Sequence, residues 1–519
     1  MKLNYKRTIL VGFAFFLISA FWQAYDATIP VILTNKFGMS QTWSGVIMAF
    51  DNILAVFMLP LFGALSDKCN TKLGKRTPFV LVGTIIAALA LIGLSFVDNA
   101  QLKNISDVSK LDDPASLSVI YDSQMDKKLQ TPEGEVFVLS QKYEKETFVN
   151  IKSTTVDENQ DVVTNDEYIN YVVPARQAYA ADRTEENSTP LIVFIGLLLV
   201  ILVAMAIFRS PAVALMPDVT VKPLRSKANA IINLMGTAGG ILVLVLGIVF
   251  ATSAVKNQLM NYYNYYGVVA GIMLVSLIIF LTTVREPSWS KQMQSDSIAL
   301  GIEEKENIQI AEKRKLSGGE IRSLILILLS IVLWYFGYNA VTSKYAVYAG
   351  NVLDMDYNTT LLIAQGAAIV SYLPAGMIAS KIGRKKTILG GIVCLTAAFG
   401  FASFMKAGSS VLLMNALFAL AGIGWATINV NSFPMVVEMC SGGDIGKYTG
   451  FYYTASMSAQ IATPMLSGYL MDMDGVGMTI LFPYAAIFVG LAFVTMFFVK
   501  HGDNKPMVAK GLEALDIDD

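Results

Sequence analysis

The stretch GALSDKCNTKLGKRTPF occupies residues 63–79 and directly follows a long apolar segment. A related stretch, GMIASKIGRKK, occupies residues 376–386 and follows another apolar segment. Each begins with a glycine, has a polar residue four positions later (Asp67 and Ser380), and continues to a second glycine that precedes basic residues. One basic loop after an apolar segment is common. Two copies that lie six apolar segments apart indicate two parallel structural repeats in one chain.

The composition indicates a polytopic membrane protein. Of 519 residues, 54% are apolar and 15% are charged, whereas soluble domains average about 45–50% and about 25%. The apolar residues fall in blocks, and a membrane-spanning helix needs about 20 mostly apolar residues. Twelve spans are predicted, at residues 8–32, 44–65, 77–97, 190–216, 229–252, 266–284, 322–346, 360–379, 387–405, 410–437, 449–470 and 480–499.

Basic residues predict the orientation of these spans. The termini and the loops on their side contain 25 of the 39 Lys and Arg residues, whereas the short loops on the opposite side contain four. Because Lys and Arg favour the cytoplasmic side, we expect a multi-pass protein of the plasma (inner) membrane with both termini in the cytoplasm. The first apolar run resembles a signal peptide, but it contains Trp22, Gln23 and Asp26 and lacks a small-residue cleavage site. We therefore interpret it as the first span.

The spans divide the chain into two six-helix bundles with one large insertion. The insertion, at residues 98–189, is acidic and lies on the extracellular side. Alternating apolar and polar residues in Glu135–Val149 favour short strands, hence a β-rich cap; a partly disordered loop is the alternative. The charged linker is expected to form an amphipathic helix along the membrane face. The predicted segments are 1–284 (N-terminal bundle with the insertion), 285–320 (cytoplasmic linker), 321–500 (C-terminal bundle) and 501–519 (cytoplasmic tail).

Several function classes are excluded by residue counts. The single histidine, His501, excludes His-based catalysis, and the three cysteines show no C-x-x-C spacing that would indicate a metal or redox site. A net charge of −1 gives no basic excess for nucleic acid. No G-x-x-x-x-G-K-[ST] motif is present, so ATP-driven transport is not expected. An ion gradient is then the remaining energy source, and no cofactor is expected.

The repeated loops carry a resemblance to a known family. Twelve spans, the long central linker and the G-x-x-S-D motif that ends at Asp67 resemble the major facilitator superfamily. The longer loop, with Gly74 and then K-R-x-P-F, resembles the glycoside–pentoside–hexuronide symporters and their sucrose/proton symporter relatives. The stretches Ala214–Asp218 and Arg225–Ala230 resemble the end of the fourth helix in the sucrose group. The resemblance implies an all-α fold of twelve transmembrane helices in two pseudo-symmetric six-helix bundles.

This sequence departs from those relatives at several positions. Where the sucrose group has an arginine five residues before its fourth-helix aspartate, this chain has Val213; Arg209 lies one turn earlier on the same helix face. Melibiose-type members carry a pair of acidic residues in the second helix. The corresponding positions in this chain are the apolar Ala55 and Leu59, which argues against a sodium site of that type. In the repeated loop of the second half, this chain has Ser380 at the position where the relatives commonly have an acidic residue.

Two acidic residues within the spans are candidates for proton coupling. Charges inside a membrane span cost about 2.5–3.5 kcal/mol each on insertion scales, so each one suggests a function. Asp26 and Asp51 lie at similar depths in the first two spans, roughly 10 Å below the outer surface at about 1.5 Å per residue. Two acids at one depth could share a proton. The alternative is that one or both line a water-filled vestibule.

Polar and aromatic residues within the spans suggest the substrate. Sugars need amide and hydroxyl partners together with aromatic faces, and buried polar groups are costly without a ligand or water. The alternative is hydrogen bonding between helices and interfacial aromatic belts. Lys344, near the outer end of the seventh span, is expected to snorkel to the surface, an alternative that also exists for Arg209. The candidate substrate-binding residues are Trp22, Gln23, Arg209, Tyr338, Asn339, Trp425, Asn429, Tyr452 and Gln460.

The repeated loops also predict a cytoplasmic gate. Asp67 is expected to cap the N-terminus of the eleventh span, near Lys447–Thr449, where the helix dipole favours an anion. Such contacts would exist only while the inside is closed; the alternative is that these charges only fix membrane topology. The remaining expected pairs are Lys75 and Arg76 with Glu438, and Arg384 and Lys385 with Asp218.

The sequence therefore predicts a secondary active transporter and not an enzyme. Proton-coupled uptake of a glycoside or disaccharide by alternating access fits the amide side chains found within the spans. A proton-coupled drug or metabolite exporter of the same fold is an alternative. A membrane receptor that uses residues 98–189 to bind a ligand is disfavoured, because a receptor needs no paired gates. The expected partners are a small-molecule substrate, a proton and the lipid bilayer, with no nucleic acid, and the protein is expected to be a monomer.

Overall fold

Long apolar runs form long helices in this protein. The computed structural model describes residues 3–156, 162–221, 224–299, 316–437, 439 and 445–502. Its longer N-terminal helices are α1 (Tyr5–Asn35), α2 (Gln41–Lys68), α3 (Thr77–Asn104), α8 (Thr189–Val219), α9 (Arg225–Val249) and α10 (Tyr263–Thr283). The corresponding C-terminal helices are α12 (Gly318–Tyr348), α13 (Tyr357–Ile382), α14 (Arg384–Ala402), α15 (Val411–Val437), α16 (Ile445–Met471) and α17 (Leu481–Phe497).

Local signals fix where these helices start and bend. The Ser40 side chain accepts from the Trp43 amide at the start of α2, and Ser317 and Glu320 form a capping box at the start of α12. Internal prolines, which bend helices, occur in α1, α2 and α8 of the first half and in α13, α15 and α16 of the second. These six helices are the ones that can change shape most easily.

Each half has its own apolar core. In the first half α1 packs on α9 and α10, and α3 packs on α8; in the second half α15 packs on α13 and α14, and α12 packs on α17. Across the interface, α2 packs against α16 and α9 against α13. Among the described residues, eleven helices are long and apolar enough to span a membrane. The more polar α16 is the twelfth helix of comparable length, so the predicted all-α membrane fold is confirmed.

The insertion between α3 and α8 is a small folded unit, not a β-rich cap. Its described residues form α4 (Pro114–Gln124), α5 (Leu139–Lys142), α6 (Lys145–Phe148) and α7 (Val173–Glu186), together with two hairpins: β1 (Lys128–Gln130) with β2 (Val136–Val138), and β3 (Thr154–Val156) with β4 (Val162–Thr164). The expected strands are short because only Leu129 and Phe137 of the first hairpin are buried in the insertion's core.

We call residues 105–188 the insertion and the side of the protein that carries them the insertion face. The opposite side, where α1 begins, is the terminal face. The linker starts there with helix α11 (Glu286–Ala299), and Arg7 at the start of α1 donates to Gln292 at 2.7 Å. The remaining linker residues 300–315, Glu438 and the tail 503–519 lie outside the described residues.

A buried ion pair joins α1 to α3 near the insertion face. The Lys36 ammonium lies 2.6 and 2.7 Å from the two carboxylate oxygens of Asp98 and 2.6 Å from the Met260 carbonyl oxygen, and neither side chain of the pair is exposed to solvent. Removing one partner of such a pair leaves a buried charge and costs about 3–5 kcal/mol. The pair therefore holds the ends of α1 and α3 in one fixed register.

Candidate functional site

Two acids and one arginine meet in the N-terminal half. Asp26 on α1 and Asp51 on α2 are half-buried and close enough to interact electrostatically with each other and with Arg209 on α8. The Asn52 amide donates to the Asp51 carboxylate at 2.7 Å. The structure thus brings together three residues that are far apart in sequence. With one cation beside two carboxyl groups, one carboxyl group can gain or lose a proton while the other stays charged beside Arg209.

Aromatic side chains surround this charged cluster. The Arg209 guanidinium lies 5.7 Å from the centre of the Trp22 ring, so the arginine faces the interior. The indole N–H of Trp22 and the hydroxyl of Tyr25 are buried without a hydrogen-bond partner among the described residues. Because unpaired buried donors are costly, these groups are suited to a ligand or water. Tyr25 was not predicted as a site residue.

The C-terminal half contributes an aromatic platform. The rings of Tyr338 on α12 and Trp425 on α15 stack with centres 3.6 Å apart and an angle of 3°. Tyr335 meets Trp425 edge-on at 5.3 Å. The Tyr452 hydroxyl lies 3.2 Å from the Ser432 hydroxyl. A flat, rigid aromatic pair of this kind can pack against the C–H face of a sugar ring.

The other predicted amides lie around this platform. The Asn429 side chain is hydrogen-bonded to the hydroxyl group of Tyr372 on α13. Asn339 has a buried amide nitrogen with no partner among the described residues, and Gln460 is half-buried on α16. Asp26 also lies within electrostatic reach of Tyr338, so the two halves face each other at this level.

A pair of amides joins the halves beside the cluster. The Gln365 side chain on α13 donates to the Gln23 side-chain oxygen on α1 at 2.6 Å. Gln365 was missed by the sequence analysis, which took no candidates from the eighth span. A glutamine inside the otherwise mostly apolar eighth span was the available signal. Gln23, a candidate substrate-binding residue, must therefore lose this hydrogen bond when the two halves separate.

On the terminal face, Arg76 pairs within its own half. Its guanidinium lies 2.7 Å from Asp218 and 2.5 Å from Asp67, and it also donates to the Ser66 hydroxyl. The partner predicted for Arg76 was Glu438, which lies outside the described residues, and Asp67 was predicted to cap the start of α16. In this conformation Arg76 instead ties the end of α2 to the end of α8, because both acids lie within reach of its planar fork.

Glu286 is a buried acid on this face that the sequence analysis missed. Its carboxylate accepts from the backbone N–H groups of Lys75, Arg76 and Thr77 at 2.6–2.8 Å and from the Thr77 hydroxyl at 2.7 Å. It therefore caps α3, where the helix dipole favours an anion, while the Lys75 side chain is exposed. An acid directly after the sixth span, followed by Pro287, was the available signal.

The matching loop of the second half makes different contacts from those expected. Lys385 donates to the carbonyls of Phe497 at 2.9 Å and Val499 at 2.6 Å, at the end of α17. Arg384 is buried at the start of α14. Among the described residues Asp218 pairs with Arg76 and forms no ion pair with Arg384 or Lys385, so the expected pairs with Asp218 are not formed in this state.

On the insertion face, the halves are locked together at the start of α2. The Asp472 carboxylate, directly after α16, accepts from the Gln41 and Thr42 amides at 2.8 and 2.6 Å and from the Thr42 hydroxyl at 2.5 Å. Lys344 on α12 donates to the Gln41 carbonyl at 2.6 Å and is fully buried. The prediction that Lys344 snorkels was therefore wrong: an acceptor from the opposite half holds its ammonium inside.

Glycines allow α2 and α16 to touch at this lock. A Cβ atom on Gly45 would lie 2.0 Å from the Pro464 carbonyl oxygen, and one on Gly468 would lie 2.2 Å from the Gln41 carbonyl oxygen. Neither distance is tolerable for a side chain. The two helices therefore meet backbone to backbone, which closes the insertion face at this edge.

The same arrangement recurs at the pseudo-symmetric edge, between the end of α9 and the start of α13. Ser253 donates to the Asp356 carboxylate, and the Thr252 and Tyr357 hydroxyls are 2.7 Å apart. Burial raises the pKa of Asp356, but hydrogen bonds from Ser253, Thr359 and Asn358 outweigh burial and hold this pKa below its usual value. Both edges of the insertion face are thus fastened by an aspartate at a helix N-terminus.

Comparisons with known proteins agree with this fold. The Major Facilitator Superfamily description matches residues 178–372 and 359–513, more than half of the chain. A second description, MFS/sugar transport protein, matches residues 10–102. A solved xylose transporter from E. coli, XylE in an inward-open conformation, superposes with a TM-score of 0.57 at 16% identity, covering 99% of each chain.

Curated relatives match over shorter stretches. The MFS-type transporter ppzB of Metarhizium rileyi is 26% identical over 125 residues, covering 24% of this chain and 25% of the relative. The sucrose transport protein SUC3 of Arabidopsis thaliana is 37% identical over 59 residues, covering 11% and 10%. The proton-associated sugar transporter A of Homo sapiens is 36% identical over 72 residues, covering 14% and 9%.

These alignments span a quarter or less of the relatives' lengths, so they describe shared segments and not whole proteins. The superfamily description, by contrast, covers residues 178–513, and together with the match at residues 10–102 it reaches most of both helical halves. The chain therefore belongs to the Major Facilitator Superfamily, and it is a multi-pass membrane transporter rather than an enzyme.

Proposed function

We propose that this protein is a proton-coupled symporter that takes up a glycoside or disaccharide by alternating access. The observation that carries the proposal is the central cluster of Asp26, Asp51 and Arg209 facing the stacked Tyr338 and Trp425. The acids supply a titratable pair, and the aromatic platform with its neighbouring amides supplies a surface for a hydroxylated ring. The sucrose and proton-associated sugar transporters among the relatives support this substrate class.

We infer an orientation with the insertion outside the cell and both termini in the cytoplasm, in the plasma membrane. The excess of Lys and Arg in the terminal-face loops supports it. Since Asp472 and Lys344 close the insertion face, we propose that in this conformation the central cluster is reached from the cytoplasm. The protein is proposed to act as a monomer, with each chain providing one pathway between its two halves.

The experiment separates coupling from binding. Asn mimics a protonated aspartate, so Asp26→Asn or Asp51→Asn should abolish gradient-driven accumulation of sugar and leave sugar binding or counterflow exchange intact. Asp126→Asn, a change at an exposed acid of the insertion, is the matched control and should accumulate sugar normally. The substrate itself is found first, by thermal-shift screening of the purified protein against a panel of sugars.

Two results would reject the proposal. If both Asn variants still concentrate sugar with the normal dependence on pH, then proton coupling does not use these acids. If no sugar stabilises the purified protein and none is accumulated by cells that express it, then the substrate class is wrong, and the exporter function is tested next with efflux assays.

A further inference from the structure

The insertion rests on the half of the protein to which it does not belong in sequence. It is joined to the N-terminal half at both ends, yet the Met478 amide donates to its Pro132 carbonyl at 2.7 Å and the Gly475 amide donates to its Gly134 carbonyl at 3.0 Å. Its Gln130 side chain donates to the Met473 carbonyl at 2.8 Å. These partners lie in one loop, residues 472–478, between α16 and α17.

Glycines shape this contact as a seam between two backbones. Gly134 and Gly477 have φ of +95° and +67°, a region that glycine occupies without strain. A Cβ atom on Gly477 would lie 2.3 Å from the Gly134 nitrogen, and one on Gly134 would lie 2.7 Å from the Val476 carbonyl carbon. A seam this close requires both residues to lack side chains, which indicates a fitted interface.

A second contact lies away from the seam. The Thr164 hydroxyl, on β4, donates to the Asp354 carboxylate at 2.5 Å, directly after the π-helical segment Ala349–Leu353 that follows α12. Asp354 has φ +51°. Burial raises its pKa, and the hydrogen bond from Thr164 offsets part of that effect. The insertion therefore touches two separate loops of the C-terminal half.

The other side of the insertion is fixed to the N-terminal half. Gln177 on α7 donates to the Asn35 side chain at 2.8 Å, and Gln101 on α3 donates to the Thr184 hydroxyl at 3.0 Å. An apolar core of its own, which includes Ile120, Phe148 and other buried residues, keeps the insertion folded. When the halves separate on this face, the insertion must move with the N-terminal half.

The contacts with the C-terminal half are suited to repeated release. A cavity of about 190 Å³ lies beneath the insertion, lined by Gln130, Gln177, Asn351 and Asp472 among others. Part of its lining is polar, so water there can replace the hydrogen bonds of the contact when the contact opens. Hydrogen bonds that water can replace contribute little net stability. The seam can then fasten the face without fixing it permanently.

We propose that the insertion is a strap that fastens the closed insertion face, and that it must leave the 472–478 loop and Asp354 before this face opens. The proposal rests on alternating access in the proposed function. The 472–478 loop carries both the seam and Asp472, which caps α2 across the interface. Release of the strap and release of this cap are therefore coupled movements of one short loop.

A reversible cross-link tests the strap. In Thr164→Cys/Asp354→Cys, oxidation should join the strap to the C-terminal half and stop sugar uptake, and a reductant should restore it. The matched control is Asp112→Cys/Ser153→Cys, which replaces a similar hydrogen-bonded pair within the insertion and should transport equally well when oxidised. Oxidised wild-type protein controls for the native cysteines. Normal uptake by the fully cross-linked strap variant would overturn the proposal.

A second experiment does not depend on the substrate. Ser44 on α2 is fully buried near the lock, so labelling of Ser44→Cys by a membrane-impermeant thiol reagent reports opening of the insertion face. Adding Gly477→Ala should raise the labelling rate about fivefold, the ratio expected for loss of roughly one hydrogen bond. Gly408→Ala is the matched control, since Gly408 has φ +76° and no atom within 4 Å of its Cβ position but lies outside the seam, in the loop between α14 and α15.

The two experiments separate the strap from the proposed function. If sugar is not transported but Gly477→Ala still raises labelling of Ser44→Cys above the Gly408→Ala control, the proposed function fails and the strap stands. Equal labelling in the two glycine variants would overturn the strap whether or not sugar is the substrate.

Discussion

Arg209 is the cation of the central cluster, and its guanidinium lies over Trp22 instead of reaching the membrane surface. A guanidinium offers a planar fork of donors, whereas the ammonium of lysine is a compact point charge. We expect Arg209→Lys to lower sugar uptake about tenfold or more, as for loss of a charged hydrogen bond. Initial rates of uptake at equal surface expression measure the effect. Full uptake by both Arg209→Lys and Arg209→Ala would show that the arginine has no role in transport.

Glu286 stabilises the start of α3, and its role can be tested as a question of stability. Four donors converge on its carboxylate, and an unsatisfied buried donor costs about 1–3 kcal/mol. Glu286→Ala should therefore lower the midpoint of thermal unfolding in detergent clearly. Asp296→Asn, at an exposed acid on the same helix α11, should leave the midpoint unchanged. Equal midpoints for the two variants would mean that Glu286 is not the cap of α3.

At the scale of elements, the α2–α16 contact depends on the absence of side chains. Gly45→Ala places a methyl group against the Pro464 carbonyl, and overpacking of this kind costs about 1–3 kcal/mol. Because that cost falls only on the closed insertion face, we expect the variant to open this face more often. Labelling of Ser44→Cys from the insertion side measures it.

The control for this helix contact is Gly271→Ala in α10, where no atom lies within 4 Å of the added carbon. It should leave the labelling rate unchanged. If Gly45→Ala labels no faster than this control, then α2 and α16 adjust to the methyl group without separating, and the glycine contact is not what closes the face.

The elements themselves could be predicted from sequence because each depends on a local pattern. Every predicted span corresponds to a helix, and the capping box at Ser317 and Glu320 is readable from its spacing. The insertion was predicted less well: alternation in Glu135–Val149 predicted short strands, but β2 (Val136–Val138) is the one strand in that stretch, and α5 and α6 occupy much of the rest. Hydrophobic patterns describe which face is buried, not what covers it.

The candidate site was predicted unevenly for the same reason. Asp26, Asp51 and Arg209 stood out because charges within spans are rare, and the structure places them together. The partners of Arg76, Lys344 and Asp472 depend on which helices meet across the interface and in which state. No single sequence contains that information, so the lock on the insertion face was missed although both of its charges were visible.

At the scale of the whole molecule, α2 and α16 can cap each other at opposite ends. Asp472 after α16 caps the start of α2 on the insertion face. Asp67 at the end of α2 is predicted to cap the start of α16 on the terminal face when that face closes. We therefore expect Asp472→Asn to favour opening of the insertion face and Asp67→Asn to favour opening of the terminal face.

The reciprocal caps are tested by whether Asp472→Asn and Asp67→Asn shift the conformational equilibrium in opposite directions. Asn lacks the charge and one acceptor oxygen, so each variant should shift the equilibrium between the two states by about tenfold, as for a charge-assisted hydrogen bond. Cysteines introduced on the two sides of the cavity are labelled in parallel for each variant. Shifts in the same direction, or unchanged labelling alongside normal transport, would contradict the reciprocal caps.

The buried pair of Lys36 and Asp98 has a consequence for how the protein is made. In the proposed orientation Lys36 must cross the membrane behind the first span, although its partner lies 62 residues later in the chain. At about 5–20 residues per second of synthesis, that delay is about 3–12 s. During this interval the first span carries a translocated charge that nothing neutralises. We therefore expect the Lys36 ammonium to stay hydrated, and this end of the first span to reach its buried position, only once the third span has brought Asp98.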